Sequence, residues 1–242
     1  MIKQFLAAIA LILTLASPVW AVVAYDSASG DDSAGSPSDF TGNWTHTTAS
    51  GNNRVLLIGC YSRVDKGAPT VTVDAVAATL WASNTAGSDG LATLHYRIGQ
   101  AVGSNTMVAT YADDPTTDQF ACSSLSFTGV HQTTPLGTAV TANTTGATSL
   151  SVDLLIASGE LGVDVLGRRT AETLTVGSGQ TQRANRCTTT GSTEVCSGMS
   201  TSATVGTEAM NWTWTSSLVA HTIAAAVKAA SSVIPTKPVF LD

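Results

Sequence analysis

Charged side chains are scarce in this sequence of 242 residues. Only 12% of its positions are Asp, Glu, Lys or Arg, whereas soluble domains average about 25%. The formal net charge is −6, and both nucleic-acid binding and docking on anionic lipid headgroups need basic surfaces. We therefore expect no nucleic-acid partner. The basic clusters, Arg168 with Arg169 and Arg183 with Arg186, are interpreted as solvated loop charges.

Recognisable catalytic and metal-binding motifs are missing as well. The four histidines, His46, His95, His131 and His221, form no H-x-H or H-E-x-x-H pair that would place two imidazoles on one metal. No G-x-S-x-G nucleophile elbow occurs. We expect each histidine to be a surface residue or a hydrogen-bonded strand residue, and we expect no enzyme. A Ser/His/Asp set distant in sequence stays open in a chain this rich in serine.

A pair of carboxylates is the remaining route to catalysis, because retaining glycosidases need two carboxyls about 5 Å apart. Glu160 and Asp164 are four residues apart and would share a face if both lay on one strand. The alternative is that Glu160 ends a loop and Asp164 lies on an outer face. The sequence favours this alternative, which leaves a glycoside hydrolase as the most remote function considered.

The longest apolar run lies at the N-terminus. Lys3 supplies a positive charge, residues 5–16 are mostly apolar, and Val19 and Ala21 place small side chains at the −3 and −1 positions of a cleavage site. This order is typical of a cleaved signal peptide, and about 12 apolar residues are too few for a membrane-spanning helix, which needs roughly 20. We predict a signal peptide over residues 1–21, with cleavage after Ala24 as the alternative. The mature protein is expected in the periplasm or outside the cell, without membrane insertion.

Threonine is the most prominent residue that the sequence does contain, at 37 positions. Together with Val, Ala, Ser and Gly it favours pleated sheet over helix. Short apolar or alternating runs recur about every 8–12 residues between turn residues, the pattern of a sandwich or barrel. We predict an all-β fold, an antiparallel β-sandwich of about 12–14 strands in a single domain over residues 22–230. A tail follows at 231–242.

Three local predictions bear on the architecture. Residues 54–61 form the most apolar internal run, which indicates a strand covered on both faces. Residues 27–43 are rich in Ser, Gly, Asp and Pro and are predicted to form a loop. Residues 209–215 and 219–228 are predicted to be two strands of one hairpin.

The four cysteines of an exported chain favour disulfides over zinc, since none of their spacings is compact enough for a metal site. Cys187 and Cys196 bracket a short polar loop, and we predict a bond that closes it. Cys60 and Cys122 lie within strand patterns. They either bridge two neighbouring strands or remain reduced in the core.

Two groups of side chains are candidates for ligand binding. Trp212 and Trp214 point to the same face of a strand, so they form either a stacking platform for sugar rings or part of the core, which their size favours. Asp113, Asp114 and Asp118 gather hard oxygen ligands of the kind that hold Ca²⁺. A solvated turn is the alternative for this loop, and no other cofactor is indicated.

The stretch 129–137, Gly-Val-His-Gln-Thr-Thr-Pro-Leu-Gly, lies between two strand patterns. Together with an early Leu56-Leu57-Ile58-Gly59 strand and a late tryptophan-rich hairpin, it resembles a loose set of secreted or phage-associated bacterial proteins of uncharacterised function. The resemblance spans about residues 52–229 and implies a jelly-roll or concanavalin-like sandwich, with no activity attached. The Gly and Pro of the motif are expected to end one strand and turn the chain into the next.

Two principal functions follow from these features. A secreted, non-catalytic module that binds a glycan or a cell surface agrees with the sandwich and the missing catalytic motifs. A structural or assembly protein, such as a phage virion decoration, a fibre component or an extracellular filament subunit, agrees with the low charge and would self-associate. Fold analogy alone connects such a sandwich to sugars.

Overall fold

The computed structural model describes residues 21–31, 41–65, 67–85, 89–111, 119–188 and 194–231. The predicted signal peptide up to residue 20, the acidic loop containing Asp113, Asp114 and Asp118, and the tail beyond residue 231 lie outside them. The described residues contain strands and no helix. The fold is therefore all-β, as the composition predicts.

Fifteen strands form in the described part of the chain, against the 12–14 predicted. Their bounds are β1 Ala24–Asp31, β2 Thr41–Thr48, β3 Val55–Ser62, β4 Thr70–Val73, β5 Val76–Ala77, β6 Thr79–Thr85, β7 Leu91–Ile98, β8 Gly103–Thr110, β9 Phe120–Thr128, β10 Val140–Ile156, β11 Leu161–Arg169, β12 Thr175–Val176, β13 Gln180–Cys187, β14 Val195–Ser202 and β15 Gly206–Val227.

The strands pair antiparallel in three sheets. The central sheet has the order β1-β9-β3-β7-β6, and the outer sheet has the order β2-β8-β4-β5. The ribbon sheet has the order β10-β15-β11-β14-β13, with β12 paired to β15. Residues 76–85 are divided between two sheets, because β5 pairs with β4 while β6 pairs with β7.

The central sheet lies between the other two and is buried on both faces. Every residue of β3 is buried, which confirms the prediction made from its apolar run. Leu57 packs in a core that also contains Val165 of the ribbon sheet. Leu56 points the other way, into a second core shared with Met107 of the outer sheet. A strand covered on both faces cannot alternate polar with apolar residues, so its sequence is apolar throughout.

The ribbon sheet takes its name from β10 and β15, which are 17 and 22 residues long and pair from Val140 with Ala224 to Ile156 with Gly206. The predicted hairpin within 209–228 is wrong, because β15 runs through both of its arms. The pairing shifts register around Ala147, and beyond this shift the ribbon lies over the far side of β11. Gly162 permits this close approach, since a Cβ there would lie 2.6 Å from Ile156 Cδ1.

Two regions contain strands that the sequence pattern does not predict. β1 extends to Asp31, so the predicted loop at 27–43 is wrong for its first residues. β13 and β14 form a hairpin around the Cys187–Cys196 loop. β14 is buried at every position although Ser, Thr and Gly make up most of it. Small polar residues give little hydrophobic periodicity, which explains why this strand is not recognisable from sequence.

Both disulfides form. Cys187 and Cys196 are directly opposite each other on β13 and β14, and Cys60 and Cys122 are directly opposite on β3 and β9. The predicted hairpin bond is confirmed, and of the two alternatives for Cys60 and Cys122 the strand bridge is the one observed. Two structural disulfides indicate an oxidising compartment such as the periplasm or the extracellular space.

The arginines are not solvated loop charges. Arg168 lies on β11 and is fully buried. Its guanidinium forms an ion pair with Glu172 at 3.3 Å, donates to Ser216 O at 2.8 Å, and lies 5.3 Å from the ring centre of Trp214. The sequence pattern does not predict that Arg168 is buried, because the ribbon of β10 and β15, which covers this face of β11, is distant in sequence.

The other basic cluster, Arg183 and Arg186, lies on β13 and not in a loop. The guanidinium of Arg183 is 3.9 Å from the ring centre of Tyr25 on β1. A cation over an aromatic face is attracted by the ring quadrupole. This contact ties the edge of the ribbon sheet to the edge of the central sheet.

The motif at 129–137 lies along the end of β15. Gly129 has a positive φ of 72° and follows the end of β9, as expected of a strand terminator. The chain then forms isolated bridges from Val130 to Ala229 and from Leu136 to Val227. The motif therefore ends β9, as predicted. Before the chain enters β10, the motif also pairs with residues at the end of β15.

Candidate functional site

The two candidate binding tryptophans lie in the interior. Trp212 is fully buried and Trp214 is 6% exposed. Trp212 Nε1 donates to Asp164 Oδ2 at 2.7 Å, and Trp214 Nε1 donates to Ala147 O at 3.0 Å. Both tryptophans are therefore part of the core, the second of the two alternatives, and they form no stacking platform for a sugar ring.

The candidate carboxylates Glu160 and Asp164 do not form an accessible pair. Asp164 is fully buried, not on an outer face as predicted, and its Oδ1 accepts hydrogen bonds from the Oγ (2.7 Å) and N–H (3.1 Å) of Ser200. Glu160 precedes β11, where its Oε2 accepts the N–H of Ala157 at 3.1 Å. Burial raises the pKa of Asp164 to about 6, although the hydrogen bonds that it accepts oppose this rise. A carboxyl without access to solvent cannot act on a polysaccharide.

A buried network of hydroxyl groups surrounds His46 where β1, β2 and β9 meet. The imidazole Nδ1 lies 2.8 Å from Ser29 Oγ and 2.9 Å from Ser124 Oγ. Nε2 lies 2.9 Å from Ser126 Oγ and 3.1 Å from Ser27 Oγ. Burial lowers the pKa of His46 to about 4, so the imidazole is neutral at pH 7.

This network contains serine, histidine and aspartate but lacks the order of a hydrolase triad. In a triad the carboxylate holds the imidazole and the imidazole contacts the serine. Here Asp26 accepts from Ser126 Oγ at 2.7 Å, and both nitrogens of His46 contact serine hydroxyls. His46 and Ser126 are fully buried. The distant Ser/His/Asp set left open by the sequence is thus present as a structural network that joins β1 and β9 to β2.

Two shallow grooves of about 310 and 380 Å³ lie near the C-terminal end of β15. Leu155, Glu160 and Lys228 line the first, and His131 and Gln132 line the second. The Nδ1 atom of His131 is occupied, because it accepts the backbone N–H of residue 134 at 3.1 Å. In the second groove Thr133 Oγ1 lies 3.2 Å from His131 Nδ1, but no carboxylate among the described residues lines that groove to hold the imidazole as a hydrolase triad requires.

The outward side of the outer sheet is an array of threonines. β2, β8 and β4 alternate between buried and more exposed residues. Their outward side chains form four rows across the sheet, namely Thr41–Thr110–Thr70, Asn43–Val108–Thr72, Thr45–Thr106 and Thr47–Ser104. These ten residues and Ala77, which lies beside Thr72 on β5, are named the threonine face.

The threonine face is regular in two directions. The β2–β8 and β8–β4 pairings contain no register shift, whereas the pairing of β10 with β15 does. Neighbouring strands lie about 4.8 Å apart, and alternate residues along a strand lie about 6.8 Å apart. Thr41 Oγ1 and Thr110 Oγ1 are 3.5 Å apart across the first row. Hydroxyl groups therefore repeat at these intervals in three of the four rows, while Asn43 and Val108 interrupt the repeat in the second row.

The threonine face contains no charged and no aromatic residue. Asp74, in the turn between β4 and β5, lies at its rim, where the carboxylate accepts the N–H of Thr106 at 2.7 Å. The β-propensity of threonine explains its presence on an exposed strand. It does not explain why Lys, Arg and Glu are excluded, since exposed sheets commonly carry such residues for solubility.

The layer behind the threonine face is fixed by hydrogen bonds and a covalent bond. Asn105 is fully buried, and its Nδ2 donates to Gly103 O at 2.8 Å and to Thr48 Oγ1 at 3.2 Å. The Cys60–Cys122 disulfide lies in the same core. The face is therefore presented by a supported sheet and not by loops.

Two alternating segments of the sequence carry a signal for this face. Residues 41–47 follow the pattern T-x-N-x-T-x-T, and residues 104–110 follow S-x-T-x-V-x-T. Each pattern predicts a strand with one polar side. Nothing in either segment indicates that the two strands are neighbours, so the array becomes visible only once the pairing is known.

No known protein family, curated protein or solved structure matches the chain. The described residues contain no helix long and apolar enough to cross a membrane. Within the same residues, no three His, Cys, Asp or Glu side chains are grouped so that they could hold a metal ion.

Proposed function

We propose that this protein is a secreted, non-catalytic module that adsorbs to an extended surface through the threonine face. The observation that carries the proposal is the uncharged array on the outer sheet, in which eight of the ten outward strand residues carry a hydroxyl group. The two disulfides and the predicted signal peptide support a place outside the cytoplasm. The buried Trp212 and Trp214 argue against the sugar-stacking form of this function.

Adsorption over many weak contacts suits such a face better than capture of one small molecule. A single hydrogen bond contributes only about 0.5–1.5 kcal/mol net. Threonine side chains at fixed intervals engage a solid surface together, so that their small contributions add within one binding event. A small ligand would instead need a concave pocket with convergent polar groups.

Co-sedimentation tests the proposal. The purified protein is mixed separately with microcrystalline cellulose, chitin, bacterial cell-wall sacculi and ice, and the bound fraction is measured. We expect binding to at least one surface, and loss of that binding in Thr106→Lys, which places a charge on β8, the middle strand of the face. Thr213→Lys is the matched control, because Thr213 is an exposed strand threonine on the ribbon sheet. The proposal would be contradicted if the protein bound none of the four surfaces, or if the two variants bound equally well.

A structural or assembly role is the second candidate, and the edge of β10 favours it. β10 is 17 residues long, and no described strand pairs with its far side. An unpaired edge is a template for a strand of another chain. Light scattering after size-exclusion chromatography decides, since assembly predicts oligomers whose mass rises with concentration. A monomer at every concentration would remove this candidate.

A further inference from the structure

We propose that the surface recognised by the threonine face is ice, the ordered lattice of water itself. This inference rests on the proposed function and specifies its ligand. Three properties of the threonine face favour ice, namely its charge, its chemical groups and its periodicity.

Charge complementarity indicates an uncharged occupant. Interfaces with charged polymers or lipid headgroups place opposite charges against each other. The threonine face offers none, and the chain as a whole has a formal net charge of −6, which disfavours the anionic polymers of cell surfaces. Crystalline polysaccharides and ice are both extended, uncharged surfaces.

The chemical groups of the face favour ice over a polysaccharide. Binding of sugar rings commonly uses an aromatic side chain with an apolar face and a polar rim, and no aromatic residue belongs to the threonine face. Each threonine has one hydroxyl that donates one hydrogen bond and accepts up to two, as a water molecule also donates and accepts. The adjacent methyl group covers apolar area between the hydroxyl positions.

The periodicity of the face favours a crystal lattice over a soluble ligand. The hydroxyls of Thr45 and Thr47 repeat along β2 and lie opposite those of Thr106 and Ser104 on β8, and at the other end of the face Thr41 lies opposite Thr110. Ice presents oxygen atoms at regular spacings in two directions, of the same order as the separations within a β-sheet. Threonine is stiff about χ1 because it is β-branched, so little side-chain entropy is lost when the array orders water.

Partition into growing ice tests the inference. A fluorescently labelled sample is frozen slowly from one side, and the protein content of the ice and of the remaining liquid is measured. We expect wild type to enter the ice and to give faceted crystals with a gap between freezing and melting temperatures. We expect Thr106→Lys to lower the ice-bound fraction about tenfold, which corresponds to about 1.4 kcal/mol, and we expect Thr213→Lys to behave like wild type. Circular dichroism confirms that each variant is folded.

The outcomes separate the inference from the proposed function. Exclusion of wild type from ice, with retained adsorption to cellulose, chitin or sacculi that Thr106→Lys abolishes, overturns ice as the ligand and leaves surface binding intact. Exclusion from ice without adsorption to any other surface overturns both. Ice binding that is lost in Thr213→Lys but kept in Thr106→Lys would assign the site to the ribbon sheet and overturn the threonine face.

Discussion

Asp164 illustrates how this protein satisfies a buried polar residue. Its carboxylate is inaccessible to water, and the side chains around it, Ser200, Trp212 and Gln180, all donate hydrogen bonds to it. Desolvation raises its pKa to about 6, and these bonds limit the rise. At pH 7 the group is therefore largely ionised and depends on its donors, since unpaired buried charge is costly.

Trp212→Phe is expected to destabilise the protein in a pH-dependent way. The change removes the donor to Asp164 Oδ2, and a hydrogen bond to a charged group contributes about 1.5–3 kcal/mol. The loss should be largest above pH 6, where the carboxylate is ionised, and smaller near pH 4.5, where Asp164 is mostly protonated. Trp214→Phe is the control, because it loses a bond to the neutral Ala147 carbonyl. Urea denaturation at both pH values measures the difference, and equal losses at both would contradict the prediction.

Residue roles of this kind are only partly predictable from sequence. The cysteine pairing follows from spacing and compartment, and the placement of Trp212 and Trp214 in the core follows from their size. The burial of Asp164 and Arg168 does not, because both lie on the side of β11 that the distant ribbon covers. A local window around residues 161–169 contains no information about that cover.

At the level of elements, the sequence predicts a strand well where an apolar run is long, as in β3. It fails for β13 and β14, whose small polar residues are held by pairing and by the disulfide. It also divides β15 where its pairing with β10 shifts register, since a bulge interrupts the period-2 pattern without ending the strand. The threonine face is missed for a related reason, because strand order is not a local property.

The two disulfides are expected to differ in their contribution to stability. Cys187 and Cys196 are nine residues apart, whereas Cys60 and Cys122 are 62 apart. The chain-entropy model assigns about 2–3 kcal/mol to the short loop and about 4 kcal/mol to the long one. We expect Cys187→Ala with Cys196→Ala to leave the sheets folded and to increase amide exchange at the ends of β13 and β14.

The matched double variant, Cys60→Ala with Cys122→Ala, should lower the denaturation midpoint further. Both cysteines of this pair lie in the core behind the threonine face, so the loss should include some packing. Guanidinium denaturation of the two variants side by side gives the comparison. A hairpin variant that is the less stable of the two would contradict the loop-length argument.

The whole molecule places its polar residues in two settings. Serines and histidines lie buried in networks between the layers, as around His46, and threonines lie exposed on the outer sheet. The low content of charged residues in the sequence is reflected in the structure. Hydroxyl groups take the place of ionised groups both in the buried networks and on the exposed outer sheet. One consequence is that few groups determine the response of stability to pH.

Stability is expected to rise between pH 4 and pH 7. Burial lowers the pKa of His46 and of His95 from 6.5 to about 4. In this range the unfolded chain binds protons that the folded chain does not, so each histidine adds about 3 kcal/mol of stability as the pH rises from 4 to 6.5. Asp164 acts in the opposite direction, because its raised pKa lets the folded state bind a proton between pH 4 and 6, worth about 3 kcal/mol. The combined contribution of the two histidines exceeds that of the one carboxyl, so the net free energy of unfolding rises with pH.

His95→Leu isolates one of these contributions. Neither ring nitrogen of His95 has a hydrogen-bond partner among the described residues, and the side chain is 2% exposed. Replacing an unsatisfied buried imidazole with an apolar group of similar size should be neutral or stabilising at pH 7, and it should reduce the rise in stability between pH 4 and 7. Urea denaturation of wild type and variant at pH 4.5, 5.5 and 7.0 measures both slopes. A wild-type protein more stable at pH 4.5 than at pH 7.0 would mean that Asp164, and not the histidines, dominates the balance of buried charge.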